Sequence, residues 1–219
     1  MRDLRAAGRA VLAAVVLAAL AGCGGVNRGA APDPVPAQLH HANQGPPAVT
    51  LKTVINTQSG MGDHAALLIA GSHTVIYDPA GSFEHSALPR RHDVLYGVTP
   101  TMEQIYLGYH ARATHHVVAQ TLPLDRAAAD RLIALAEAQG PATAGFCAVR
   151  AGAVLRSLPG MEGLSRSPWP QTLNRSFGAM PGVTTRRITA TDVPLAARTR
   201  GPGFVADTTT TTTQAAAGG

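Results

Sequence analysis

The chain contains only two cysteines, Cys23 and Cys147, among 219 residues. Two cysteines cannot build the dense disulfide framework of small secreted domains, nor the four-thiolate sets of many structural zinc sites. Charged residues make up 14% of the chain and aromatic residues 4%. No stripe of Lys and Arg is interleaved with aromatic side chains, so the sequence does not favour nucleic acid as a partner.

The sequence also lacks an apolar run that could cross a bilayer, for which a helix needs roughly 20 residues. The longest run, Ala10 to Ala21, has 12 residues and follows three arginines. A basic start followed by a short apolar core is typical of a signal peptide, so we expect residues 1–22 to be removed. They carry three arginines and one aspartate, and their loss lowers the formal net charge from +5 to +3.

The apolar run ends in Leu20-Ala21-Gly22-Cys23, which resembles the bacterial lipobox. The resemblance implies cleavage before Cys23, diacylglyceryl modification of its sulfur and, in many bacteria, N-acylation. Two or more acyl chains give stable anchoring. We therefore expect a lipoprotein that is anchored in the membrane by the lipid on Cys23. The protein would lie in the cell envelope and face the periplasm or the exterior. A plain secretory signal peptide is the alternative.

Composition divides the rest of the chain into three parts. Residues 23–48 hold Cys23 and a linker with five prolines, which is typical of an extended spacer. Residues 201–219 form a Thr/Ala/Gly tail that we predict to be disordered. Residues 49–200 between them have the length of one domain.

Hydrophobic patterns and turn signals within 49–200 predict an α+β fold. Strands are predicted at 49–56, 65–70, 74–77, 94–98 and 114–122, and helices at 100–109, 125–139 and 145–160. We expect a small antiparallel sheet packed on two or three helices. The Pro- and Gly-rich residues 161–182 are predicted to be a loop in which Trp169 and Phe177 are packing anchors.

The two strands on either side of Gly71 carry polar residues at their far ends. His64 begins the first strand, and Asp78 follows the second. A hairpin turn centred on Gly71 would place these two residues directly opposite each other on one face of the sheet. An imidazole held by a carboxylate makes up two members of a nucleophilic triad. His73 is a weaker alternative to Asp78, because it falls at the turn.

Cys147 is the candidate nucleophile. If Cys23 is lipidated, Cys147 has no disulfide partner within the chain. Gly145 and the preceding loop predict a helix that begins near Cys147, and a helix N-terminus stabilises a thiolate. The alternative is a small buried cysteine that packs an Ala-rich helix. Combined with the hairpin, the pattern favours Cys147 as nucleophile, His64 as base and Asp78 as the residue that orients it.

The order of these residues resembles the circularly permuted branch of the NlpC-like papain superfamily, which includes lecithin-retinol-acyltransferase-like proteins. Gly62-Asp63-His64 matches the histidine motif, Tyr77-Asp78 the third polar residue, and Cys147 the nucleophile. The resemblance covers about residues 60–160. It implies a permuted papain-like fold and a thiol peptidase, amidase or acyltransferase that needs no cofactor. Phe146 departs from the pattern, since many members of the family carry a polar residue before the cysteine.

These observations predict a cell-envelope lipoprotein with hydrolase or acyl-transfer activity on amide or ester bonds. Peptidoglycan stem peptides are the first candidate substrate. A lipid acyltransferase or thioesterase, and a non-catalytic envelope lipoprotein that binds a partner, are the alternatives. His110, His115 and His116 form a second histidine group. Since adjacent histidines on a strand point to opposite faces, no metal site is predicted there. The oligomeric state is not indicated.

Overall fold

The computed structural model of the chain describes residues 34–81 and 83–199. The predicted signal peptide, Cys23 with its lipid, and the tail at 201–219 lie outside these described residues. No helix within the described ranges combines the length and the apolar character that a membrane span requires.

One antiparallel sheet of seven strands runs through the described part of the chain. The strands are β1 (Ala48–Asn56), β2 (Gly62–Ala70), β3 (Thr74–Tyr77), β4 (Arg90–Arg91), β5 (Val94–Leu95), β6 (His115–Pro123) and β7 (Thr184–Ile188). Their order across the sheet is β4-β5-β3-β2-β1-β6-β7. Each neighbouring pair is antiparallel. Strands β1 and β2 therefore lie in the middle, and β7 forms one edge.

Five α-helices pack on this sheet within the described ranges. They are α1 (Pro100–His110), α2 (Arg126–Gln139), α3 (Cys147–Leu155), α4 (Pro170–Gly178) and α5 (Leu195–Arg198). The first two begin where the sequence supplies a cap. The Thr99 side chain accepts a hydrogen bond from the Met102 N–H, and Asp125 accepts one from the Ala128 N–H.

The helices form two layers, one on each face of the sheet. One core contains residues of α2, α3 and α4 and the odd-numbered side chains of β2, such as Leu67 and Ile69. The other contains residues of α1 and α5 together with Ala66 of β2 and Ile76 of β3. Alternate residues of a strand point to opposite faces, so each strand serves both cores. His64 has the parity of Ala66 and lies toward α1.

The predicted α+β class and the antiparallel sheet are confirmed. The sheet is larger than expected, with seven strands, and the described residues form five α-helices instead of two or three. The predicted loop at 161–182 contains helix α4. Phe177 is buried there, as expected, but Trp169 is 58% exposed, so its prediction as a packing anchor was wrong. Pro170 does not prevent this helix, because it lies in the first turn, where proline is tolerated.

The β2–β3 hairpin differs from the prediction in its register. Leu67 pairs with Tyr77 and Ala70 with Thr74, so the hairpin is symmetric about Ser72. The prediction that His64 lies directly opposite Asp78 was therefore wrong by two residues. The connection is longer than assumed, since the Gly71 N–H donates to the His73 carbonyl within it. A shift of two residues preserves the face of each side chain.

The part of the predicted spacer that the structure describes contacts the domain. Val35 packs against the core beside α2 and α3. Ala42 forms a β-bridge with His73, and the rings of His40 and His73 stack with centroids 4.0 Å apart. The chain from residue 34 to β1 is therefore packed on the domain over at least these contacts.

Candidate active site

The three residues predicted as a triad lie next to one another in the structure. His64 Nε2 lies 2.5 Å from Asp78 Oδ1. His64 also lies next to Cys147, because each side chain shifts the pKa of the other, that of the imidazole upward and that of the thiol downward. Because Nε2 is engaged by Asp78, Nδ1 is the ring nitrogen that is left for the sulfur. The imidazole thus connects the thiol to a buried carboxylate.

The triad forms where the two helical layers meet at the start of β2. Cys147 begins α3 and belongs to the core shared with α2 and α4. His64 lies at the third position of β2, next to an irregularity in the pairing of β1 with β2, where Val54 pairs with His64 and Ile55 with Gly62. Asp78 directly follows β3. Each residue is therefore fixed near the end of a regular element.

Asp78 is fully buried and is held by three side chains. Its Oδ1 accepts a hydrogen bond from the Tyr106 hydroxyl at 3.0 Å in addition to its bond with His64. Its Oδ2 accepts one from Arg90 at 3.2 Å. Arg90 also donates to the Phe83 carbonyl at 2.8 Å. A buried carboxylate needs such partners, and here they fix its orientation toward His64.

The electrostatics of the three groups favour a thiolate and an imidazolium. Burial alone would raise the pKa of the Cys147 thiol, but the hydrogen bond and the charge of His64 hold it below its ordinary value. Burial alone would lower the pKa of His64, but the charge and hydrogen bond of Asp78 raise it well above 6.5. Burial opposes ionisation of Asp78, yet His64 holds its pKa below 3.8. The arrangement therefore favours a proton on the His64 imidazole over a proton on the Cys147 sulfur.

The N-terminus of α3 presents backbone donors around the sulfur. Its N-cap residue is Phe146, whose side chain makes no capping hydrogen bond. The N–H groups of Ala65 and Ala148 hydrogen-bond to the thiol and help to lower its pKa. The first N–H groups of a helix have no partner within it, so the Cys147 N–H can donate to a negatively charged oxygen at this end. Phe146 itself is 50% exposed.

His110 also belongs to the site, although the sequence analysis placed it with His115 and His116. Its ring stacks on that of His64 with centroids 5.5 Å apart and on that of Tyr106 at 4.6 Å. Burial, followed by the charge of His64, lowers the pKa of His110 to about 3, so it is neutral. Its Nε2 is buried without a hydrogen-bond partner among the described residues. Tyr106 and His110 are four residues apart on α1 and so share one face of the helix. This spacing is the sequence signal that could have assigned His110 to the site.

The other histidines considered from the sequence lie elsewhere. The ring of His73 stacks on His40. His115 Nε2 lies 2.8 Å from Asp63 Oδ2, whereas His116 Nδ1 lies 3.4 Å from Thr57 Oγ1. As predicted, the adjacent histidines point in different directions.

Three residues of the site lie close enough together to be considered as ligands of a metal ion. One ligand atom each from His64, Asp78 and His110 lie within 4.8 Å of one another. However, Asp78 already accepts hydrogen bonds from His64, Tyr106 and Arg90. A cation would have to break the His64–Asp78 bond and lie near the positive charge of Arg90. The donor set therefore fits an acid–base pair better than a metal centre.

A cavity of about 370 Å³ opens beside His64. Its walls are formed by the start of β2, the segment after Asp78, the end of α1 and the turn before β6. The lining residues are Val54, Asp63, His64, Ala80, Gly81, Tyr109, His110, Arg112, Thr114 and His115. Cys147 is not among them and is only 5% exposed.

No family model, curated protein or solved structure matches this chain. The clustering of Cys147, His64 and Asp78 therefore carries the functional interpretation by itself.

Proposed function

We propose that this protein is a thiol-dependent hydrolase or acyltransferase that acts on amide or ester bonds. The observation that carries the proposal is the position of His64 between Asp78, to which it is bonded, and Cys147, whose thiol pKa it lowers. A lowered thiol pKa and a raised imidazole pKa are what a cysteine nucleophile with a histidine partner requires.

In the first step the Cys147 sulfur attacks the carbonyl carbon and a C–S bond forms. The carbonyl oxygen becomes an anion, to which the Cys147 N–H can donate. As the C–N or C–O bond breaks, the imidazolium of His64 gives its proton to the leaving nitrogen or oxygen. In the second step water, or an acceptor hydroxyl or amine, loses a proton to His64 and attacks the thioester. The C–S bond breaks, and the acid or the transferred acyl product leaves.

Asp78 contributes by holding the imidazole. Its bond to His64 Nε2 keeps Nδ1 directed at the sulfur and stabilises the imidazolium. Tyr106 and Arg90 hold the carboxylate in place. The Tyr106 hydroxyl stays protonated as a donor, because burial and then the charge of Asp78 raise its pKa.

The resemblance to permuted papain-like proteins is supported by the order of the elements. His64 lies on a central strand, Asp78 follows the next strand, and Cys147 begins a helix later in the chain. The lipobox-like residues before Cys23 support a location in the cell envelope. There, peptidoglycan stem-peptide amides are the first candidate substrate.

Lipid esters or amides are the second candidate substrate. Three large apolar side chains near the site are exposed: Met61, Phe146 and Trp169. Phe146 directly precedes the nucleophile. Met61 contacts Gln171 near Trp169, and Pro170 packs against Gly62. Such side chains around a thiol favour an apolar acyl group.

A non-catalytic binding protein remains the alternative of a different class. The 5% exposure of Cys147 favours this binding alternative, since a buried thiol must be uncovered before a substrate carbonyl can reach the sulfur. In that case the cavity beside His64 would hold a ligand that is not transformed.

Incubation of the purified full chain with muropeptides and with phospholipids, followed by mass spectrometry, tests the proposal. We expect products from one of these two substrate classes. Cys147→Ala should lower the rate by at least about a thousandfold, because both steps require the sulfur. Products formed by Cys147→Ala at the wild-type rate would refute the thiol mechanism. If neither class gives a product, while the fold and binding are retained, the binding alternative is supported instead.

A further inference from the structure

We propose that the cavity beside His64 holds the leaving group of the substrate and selects one with a negative charge, a carboxylate or a phosphate, through Arg112. The inference rests on the proposed function for the identity of the leaving group. The charge selection itself is a property of the cavity.

The position of the cavity assigns it to the leaving group. In the proposed reaction the acyl part stays bonded to the Cys147 sulfur, and the departing part receives its proton from His64. The cavity is lined by His64 and not by Cys147. It therefore adjoins the residue that protonates the departing part of the substrate. Its volume of about 370 Å³ is at the small end of the range for small-molecule sites.

Arg112 is fixed at the rim with its terminal nitrogens available. Its Nε donates to the Tyr109 carbonyl at 2.5 Å, and its guanidinium carbon lies 4.6 Å from the centre of the Tyr109 ring. Two backbone hydrogen bonds between Arg112 and His115, of 3.0 and 3.1 Å, hold the turn. Neither terminal nitrogen of Arg112 has a hydrogen-bond partner among residues 34–81 and 83–199. A preorganised guanidinium with two such donors suits a planar carboxylate or a phosphate.

The other ionisable groups of the cavity are engaged with one another. Asp63 is the one carboxylate in the lining, and its Oδ2 is paired with His115 Nε2 at 2.8 Å. The second nitrogen of His115 is bonded to the Thr114 hydroxyl at 2.8 Å. At the inner end the His64 imidazole is bonded to the Asp78 carboxylate, with His64 Nε2 2.5 Å from Asp78 Oδ1. Arg112 at the rim is therefore the group that attracts an anionic leaving group.

Calorimetric titration of the purified full chain with product-like probes tests this selection without turnover. The first pair is Ala-Ala and Ala-Ala-amide, which differ in the carboxylate. The second pair is glycerol 3-phosphate and glycerol, which differ in the phosphate. We expect the anionic member of at least one pair to bind at least about tenfold more tightly, as charge-assisted hydrogen bonds provide. A preference for Ala-Ala indicates a peptide leaving group, and a preference for glycerol 3-phosphate indicates a lipid one.

The variants identify the residue responsible. Arg112→Gln should remove the preference, and Arg112→Lys should retain part of it. Arg131→Gln, which changes an exposed arginine on α2 away from the cavity, should leave it unchanged. Thermal unfolding shows whether each variant is folded. The proposal is overturned if neither anionic probe is preferred, or if the preference survives Arg112→Gln. A charge preference without any turnover would refute the proposed function alone, and turnover without a charge preference would refute this inference alone.

Discussion

Gly81 packs directly against the carboxylate of Asp78. A Cβ atom built at position 81 would overlap both carboxylate oxygens. The absence of a side chain at this position is therefore what lets Asp78 sit below His64 with Tyr106 and Arg90 as its other partners.

We predict that Gly81→Ala disrupts the triad while the fold remains. The added methyl group must displace Asp78, so His64 loses its orienting hydrogen bond. The loss of one buried hydrogen bond costs about 1–3 kcal/mol, which corresponds to a decrease in kcat of roughly fivefold to a hundredfold. The kcat on whichever substrate the wild type turns over measures the effect. Gly163→Ala is the matched control, because a Cβ there meets no atom within 4 Å. Equal rates for Gly81→Ala and the control would contradict the prediction.

The thiol should react at a lower pH than an ordinary cysteine. His64 lowers the pKa of Cys147, and Asp78 raises that of His64. A thiolate–imidazolium pair therefore exists between the two values. We expect iodoacetamide to alkylate Cys147 at pH 6 faster than a model thiol, with peptide mapping by mass spectrometry as the measurement. His64→Ala should slow the reaction at pH 6, and Asp78→Asn should affect it less than it affects turnover. Alkylation of Cys147 only after denaturation would identify a core cysteine and contradict the enzymatic interpretation.

The buried carboxylate should make stability depend on acid pH. The pKa of Asp78 is lowered in the folded protein from its ordinary 3.8, because the charge and hydrogen bond of His64 outweigh burial. The unfolded chain therefore takes up this proton first as the pH falls. The stabilisation by Asp78 is fully present above 3.8 and is lost as the pH falls through the lowered folded pKa.

Asp78→Asn should consequently destabilise the protein by about 3–5 kcal/mol at pH 7, since it leaves Arg90 and His64 without their buried partner. The difference from the wild type should shrink as the pH falls below 3.8. Urea unfolding at a series of pH values measures both. Asp63→Asn is the control, because its side chain is 46% exposed and its loss should change stability little. A difference that stays constant down to pH 2 would contradict the prediction.

The lipid anchor is a prediction from the sequence alone. If Cys23 carries acyl chains, metabolic labelling with a fatty-acid analogue should tag the wild-type protein and not Cys23→Ser. Cys147→Ser should still be labelled, which separates the anchor from the proposed nucleophile. Recovery of labelled protein from cells that express Cys23→Ser would refute the lipobox interpretation.

The sequence predicted the parts of the fold that depend on local signals. The Thr99 and Asp125 caps, for example, placed the first two helices to within a residue or two. Helix α4 was missed because Pro and Gly on either side suggested a loop. Strand β7 was missed because four of its five residues are polar and exposed.

The three residues singled out from the sequence lie together in the structure, but the details of their geometry were not predicted. The parity of His64 and Asp78 could be read from the chain, whereas the register depended on the length of the turn at Gly71–His73. The contact of His110 with His64 depends on how α1 packs on the sheet, which a single sequence does not specify. The separation of Cys147 from the cavity likewise arises only from tertiary structure.

Strand β7 at the edge of the sheet has a consequence for contacts between copies of the protein. Its outer row of backbone groups has no partner strand among residues 34–81 and 83–199, and an incoming extended chain could pair with it. Two adjacent arginines, Arg186 and Arg187, occupy the exposed part of this strand. A second copy would bring like charges side by side. The charge on this strand therefore opposes edge-to-edge pairing of two copies.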